Sequence, residues 1–175
     1  SLLPVLELFT AFGLLFVYSQ FKNLKKYLVF IFLVVVVVGL ASFYQNYFIV
    51  FPQQESRSFH YAFSKVVPYV LSVQDNYELI VFSNTDNLYQ SYMVFLYYAK
   101  YDPALYQQQG GTKSGGYAET HAFGKYVFRP IDGLIKDKKI LYIGNVRELK
   151  NKGKLLMEFK SLDGLVTILA VESNE

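Results

Sequence analysis

From Tyr27 to Tyr44 the chain carries no charged side chain, and Val34 to Val38 are five valines in a row. A helix built from this run has no polar face. It is apolar all round, which suits either lipid or a wholly buried core. Roughly 20 apolar residues cross a bilayer as a helix, and the run reaches that length if the aromatic stretch Tyr44 to Phe51 carries it into the interface. Leu2 to Tyr18 is a second apolar run, whose one charged residue is Glu7. Two transmembrane helices are therefore expected over 1–51. The short segment 19–26 between them holds Lys22, Lys25 and Lys26 and no acid. Short basic loops stay in the cytoplasm, so the second helix should lead outward and everything after Phe51 should be extracytoplasmic. Tyr44, Tyr47, Phe48 and Phe51 fit an aromatic belt at the outer interface. Glu7 reads equally as a functional intramembrane acid or as the partner of a group on a missing helix, and is not read as catalytic. The chain opens at Ser1 inside an apolar run, with no Met, basic n-region or small-residue cleavage site. It does not read as a signal peptide, and the natural protein is expected to continue upstream.

The remainder has an ordinary mixed composition. Setting aside Lys22, Lys25, Lys26 and Glu7 leaves 14 basic and 13 acidic groups. A domain so nearly neutral offers no electrostatic footprint for nucleic acid. The absence of cysteine excludes disulfides and thiolate metal sites.

Within 52–175 the pattern predicts a small extracytoplasmic α/β domain, helices packed on a mixed sheet. An amphipathic helix is expected over 55–73, with Phe59, Phe63, Val66, Val67 and Val70 on one stripe and a kink at Pro68. Leu79 to Phe82 reads as a buried strand, and Ser83-Asn84-Thr85-Asp86 offers caps for a helix over 87–100 that Asp102-Pro103 ends. Gln107 to Glu119 reads as an exposed loop. Strands are expected at 123–128 and 140–143, and a short helix at 146–150. Leu155, Met157 and Phe159 alternate like a half-buried strand, turned by Asp163-Gly164 into a partner at 166–171.

Tests for chemistry give little. Gly110 to Gly116 lacks the glycine that a phosphate loop needs directly before its lysine, because Thr112 precedes Lys113. His60 and His121 stand far apart without a helper ligand, so no metal or other cofactor is implied. No serine sits in a nucleophile elbow, and there is no N-glycosylation acceptor. Asp86 and Asp102 are explained by capping and turn chemistry. Tyr89, Tyr92, Tyr97, Tyr98, Tyr101 and Tyr106 cluster on and after one predicted helix. Such rings pack helices onto sheets and line membrane interfaces, and they also bind sugars. Tyr97, Tyr98, Tyr101 and His121 are the candidate substrate-binding residues; no catalytic residue is assigned.

Several segments together resemble the C-terminal part of the dolichyl-phosphate-mannose protein mannosyltransferase family and its prokaryotic polyprenyl-phosphate-sugar relatives, glycosyltransferases of the GT-C fold. They are Leu2-Leu3-Pro4, Asn46-Tyr47-Phe48 with Pro52, Phe59-His60-Tyr61 with Lys65-Val66-Val67, and Phe123-Gly124-Lys125-Tyr126. The closest is Phe95-Leu96-Tyr97-Tyr98 leading into Lys100-Tyr101-Asp102-Pro103 and Tyr106-Gln107. The likeness covers most of the chain, and Gly110 to Ala118 departs from it. The resemblance implies a polytopic enzyme that moves a sugar from a lipid phosphate carrier to an extracytoplasmic protein or lipid acceptor. It places the catalytic acids in an early outer loop, upstream of Ser1. The present chain would then be anchor plus accessory domain, set above the membrane cavity, with the bilayer as its partner and the donor and acceptor reached through the upstream part. An anchored, non-enzymatic binding or sensor domain is the alternative, and a structural subunit of an envelope or transport complex a third.

Overall fold

The computed structural model describes residues 3–20, 24–112, 120–135 and 138–173. The chain divides into two compact units, Ser1–Val50 and Phe51–Glu175.

The first unit is helical: α1 (Leu3–Gln20) and α2 (Lys25–Gln45), the latter followed by a π-helical turn, Asn46–Val50. No residue of α2 is buried, although soluble helices hide their apolar stripe. The helical run Lys25–Gln54 is, among the described residues, the one long and apolar enough to cross a membrane, a test that a signal sequence also passes. The apolar run Pro4–Gln20 is shorter. Lys25 holds its ammonium 4.5 Å from the centre of the Tyr18 ring. Lys22, from the expected basic loop, lies outside the described residues.

The second unit is a mixed six-stranded sheet with helices, in the order β2-β3-β1-β4-β6-β5. Its strands are β1 (Leu79–Phe82), β2 (His121–Phe123), β3 (Tyr126–Phe128), β4 (Ile140–Asn145), β5 (Lys154–Lys160) and β6 (Val166–Glu172). β1 runs parallel to both β3 and β4, while the outer pairings are antiparallel. Buried on both faces, β1 is continuously apolar, as central parallel strands are. Ile80 and Phe82 face one core and Val81 the other. The larger core lies under α4 (Phe63–Val73) and α5 (Ser91–Ala99), centred on Phe82, whose ring lies 4.9 Å from Phe128 and 5.1 Å from Phe95. The smaller includes Leu149 of α7 (Val146–Leu149) and Ile131.

Several expected boundaries shift. The helix predicted from Glu55 begins only at Phe63; after α3 (Phe51–Gln54), turns fill the stretch to Ala62. His60 there has φ 53°, which a helix forbids. Phe59, placed on the buried stripe, is 68 % exposed instead. The other four stripe residues are buried, and α4 runs on through Pro68. The helix predicted over 87–100 is a 3₁₀ turn, Asp86–Leu88, followed by α5. Asp102-Pro103 opens another helix, α6 (Pro103–Gln108), because the Asp102 carboxylate accepts the Ala104 N–H and proline suits a first helical turn. The predicted strand over 123–128 is a hairpin, β2 and β3, turned at Gly124 with φ 54°. In β5 a register shift between Leu155 and Met157 puts Leu155 on the opposite face from Met157 and Phe159, and of the three only Phe159 is buried.

Candidate functional site

After β1 the chain passes to β2 and β3 on one side of the sheet, and after β4 to β5 and β6 on the other. Where two neighbouring parallel strands send their chain in opposite directions, a crevice opens beyond their carboxyl ends. Polar residues converge there. After β1 come Ser83 and Asn84, both buried, then Thr85 and Asp86. β4 ends at Asn145, whose side chain caps α7 by accepting the Glu148 N–H at 2.9 Å. Thr85 donates its hydroxyl to Glu148 Oε1 at 2.8 Å, and that oxygen also accepts the Ile131 N–H at 3.3 Å. Asn145 Nδ2 donates to Thr85 Oγ1 at 3.3 Å and reaches Asp86 Oδ2 at 3.5 Å. Ser91, at the start of α5, donates to the Ser83 carbonyl at 2.8 Å. β1, β4, α5 and α7 are thus tied together where the crevice opens. Gly144 leaves room for this. A Cβ there would meet Ile131 Cδ1 at 3.0 Å, Leu149 Cδ1 at 3.1 Å and Glu148 Oε2 at 3.3 Å.

Above the network lies a cleft of about 690 Å³, bounded by the turns before α4, the Asp86–Gln90 turn, the β4–α7 junction and the start of β6. That size suits a small ligand. Five non-glycine residues have positive φ among those described: His60, Asp86, Gln90, Lys100 and Asn151. The first three line the cleft. Backbone strain of this kind clusters where function needs a fixed geometry.

The cationic groups of the cleft have acid neighbours. Arg57 pairs with Asp163 at 2.6 Å, and Arg147 approaches Asp86 at 3.9 Å. The Leu165 N–H, helped by Arg57, holds the Asp163 carboxyl below its ordinary value. Burial alone pushes the His60 imidazole down, favouring its neutral form.

The four residues singled out from the sequence do not come together, and none lines this cleft. Tyr97 is 76 % exposed on α5, edge-on to Tyr98 with centroids 5.2 Å apart. Tyr101 donates its hydroxyl to Gln109 Oε1 at 2.9 Å and packs edge-on against Phe123. His121 is buried, its ring 3.7 Å from that of Tyr92. Since Phe123 pairs with Tyr126 and His121 with Phe128, Tyr101 and His121 belong to opposite ends of β2. Of the tyrosine cluster, Tyr89 alone reaches the cleft. Residues 113–119, most of the Gly-rich loop together with Glu119, lie outside the described residues. Sequence reasoning treated Asp86 as a cap and passed over Asn145. The signal was a polar stretch close behind each apolar strand run: Ser83 to Asp86 after Phe82, and Asn145 two residues after Ile143. Among the described residues no group of three or more His, Cys, Asp or Glu side chains could hold a metal ion. No protein family, curated protein or solved structure matches the chain.

Proposed function

We propose that the chain is the membrane-anchored C-terminal part of a polytopic glycosyltransferase that moves a sugar from a polyprenyl or dolichyl phosphate carrier to an extracytoplasmic protein or lipid acceptor. Two helices, α1 and α2, span the membrane, with Lys25 and Lys26 on the cytoplasmic side by the positive-inside rule. The α/β domain then stands outside. It is accessory: it binds a ligand, and the displacement at the anomeric carbon, assisted by a carboxylate, takes place on residues upstream of Ser1. The observation that supports a binding role is the cleft at the carboxyl ends of β1 and β4, with its strained rim and hydrogen-bonded floor. The resemblance of the stretch from Phe95 to Gln107 supports the enzyme class. The test is transfer of radiolabelled sugar from a polyprenyl phosphate donor by membranes carrying the native gene. Transfer that disappears on deleting the gene fits the proposal; unchanged transfer removes it. A second reading, an anchored sensor, draws on the fact that every residue lining the cleft belongs to the second unit, so ligand binding needs no upstream part. Sidedness is checked by cysteine labelling from outside intact cells, with a cysteine placed at Asp132; protection from the reagent would reverse the topology.

A further inference from the structure

We infer that the cleft is a recognition site for an uncharged hexose unit of a glycan, with Asp86 and Asn145 as its hydrogen-bonding pair. The inference rests on the cleft being the domain's ligand site, as proposed above, and adds what it recognises. The chemistry of the lining leads there. Asp86 projects into the cleft with its side chain 52 % exposed, from a backbone at φ 51°. Its carboxylate only accepts hydrogen bonds. The Asn145 amide beside it keeps Thr85 Oγ1 and the Glu148 N–H in the network, which leaves the second lone pair of its oxygen, and the N–H that makes only the long 3.5 Å contact with Asp86, to meet a ligand hydroxyl. Adjacent hydroxyls of a sugar ring each offer one donor and two acceptor lone pairs, and a carboxylate beside an amide answers both. Tyr61 and Tyr89 add aromatic walls, and Gln90 and Thr167 further polar groups. Aromatic rings suit the C–H faces of a pyranose.

The charges argue against an anion. A phosphate or diphosphate site needs surplus cations or aligned free N–H groups. Here Arg57 is held by Asp163 at 2.6 Å and Arg147 faces Asp86 at 3.9 Å. His60 is kept toward neutrality by burial. A neutral, many-hydroxyl ligand leaves those pairings in place. An anion would have to break them and would also meet the Asp86 carboxylate.

The experiment uses the full chain in lipid nanodiscs, avoiding detergents with sugar head groups that would compete. Calorimetric titrations with methyl mannoside, methyl glucoside and methyl galactoside are run beside inorganic phosphate and pyrophosphate. At least one hexoside is expected to bind saturably, with neither anion displacing it. Asp86→Gly tolerates the positive φ, and Asn145→Ser keeps the helix cap. Each should weaken hexoside binding about tenfold, the loss of one hydrogen bond to a charged or well-placed partner, with the melting temperature staying close to that of the wild type. No saturable hexoside binding, displacement by phosphate or pyrophosphate, or wild-type affinity in both variants would overturn the inference. A soluble oligosaccharide and a polyprenyl-phosphate-linked hexose, used as competitors, tell an acceptor glycan from the sugar of the donor; competition by either supports the site. The transferase proposal fails separately. Hexoside binding with no sugar transfer dependent on the gene leaves the inference standing and removes the enzyme. Transfer without hexoside binding does the reverse.

Discussion

Helix α5 and the cleft beside it are built from similar residues but present them differently. On α5 the polar aromatics diverge: Tyr97 and Tyr98 face outward, Tyr92 turns in against His121, and Phe95 anchors the helix to Phe82 and Tyr126. In the cleft, residues from four separate segments converge on one volume, held by a network that joins two strands and two helices. A cluster of tyrosines in sequence follows one helix and is spread around its circumference. A site needs side chains aimed at one point, and here distant segments supply them.

Each side of this contrast can be broken separately. The largest effect is expected at Phe95→Ala, where loss of a fully buried ring should cost about 3–5 kcal/mol in thermal or urea unfolding. A cost under about 1 kcal/mol would mean α5 is not a core helix. Glu148→Ala comes next. It strips the acceptor from the Thr85 hydroxyl and the Ile131 N–H and should cost about 1–3 kcal/mol. Backbone amide exchange should then rise in the turn after β1 rather than along α5. Asn145→Ala removes the α7 cap and should cost about 1 kcal/mol, most of which Asn145→Ser should restore. Tyr97→Ala is expected to change stability by no more than about 0.5 kcal/mol, as exposed substitutions do.

His60 adds a pH dependence. Its folded-state pKa lies below the ordinary 6.5 because burial penalises the charged form. The unfolded chain therefore binds the proton more readily. The contribution of His60 is fully present above that ordinary value and is lost as pH falls toward the lower folded value. The melting temperature should drop on acidification, and less in His60→Asn, which tolerates the positive φ and does not titrate. Equal drops in both proteins would assign the acid sensitivity to other groups.

Much of the sheet was legible in the sequence. Leu79 to Phe82 and Ile140 to Ile143 are short apolar runs bounded by polar residues or glycine, and Asp163-Gly164 marks its turn, Gly164 having φ 82°. The misread elements share one cause, a residue whose conformation runs against its local pattern. His60 stops a helix that Phe59 and Phe63 suggest. Asp102-Pro103 starts a helix where it was expected to end one. The shift between Leu155 and Met157 breaks an alternation that looked regular. The cleft was hidden for a topological reason. Asp86 and Asn145 approach only because β1 and β4 pair, and nothing in the spacing of two strands separated by two helices, a hairpin and a loop announces that they are neighbours.

The most direct test of the cleft as the binding region is a hexoside titration followed by amide chemical shifts of the isotopically labelled full chain. Progressive shifts should appear at His60, Asp86 to Gln90, Asn145 to Arg147 and Thr167, with the outer face of α5 unmoved. Shifts centred on Tyr97, Tyr98 and Tyr101 instead would return the site to the tyrosine helix and contradict the account.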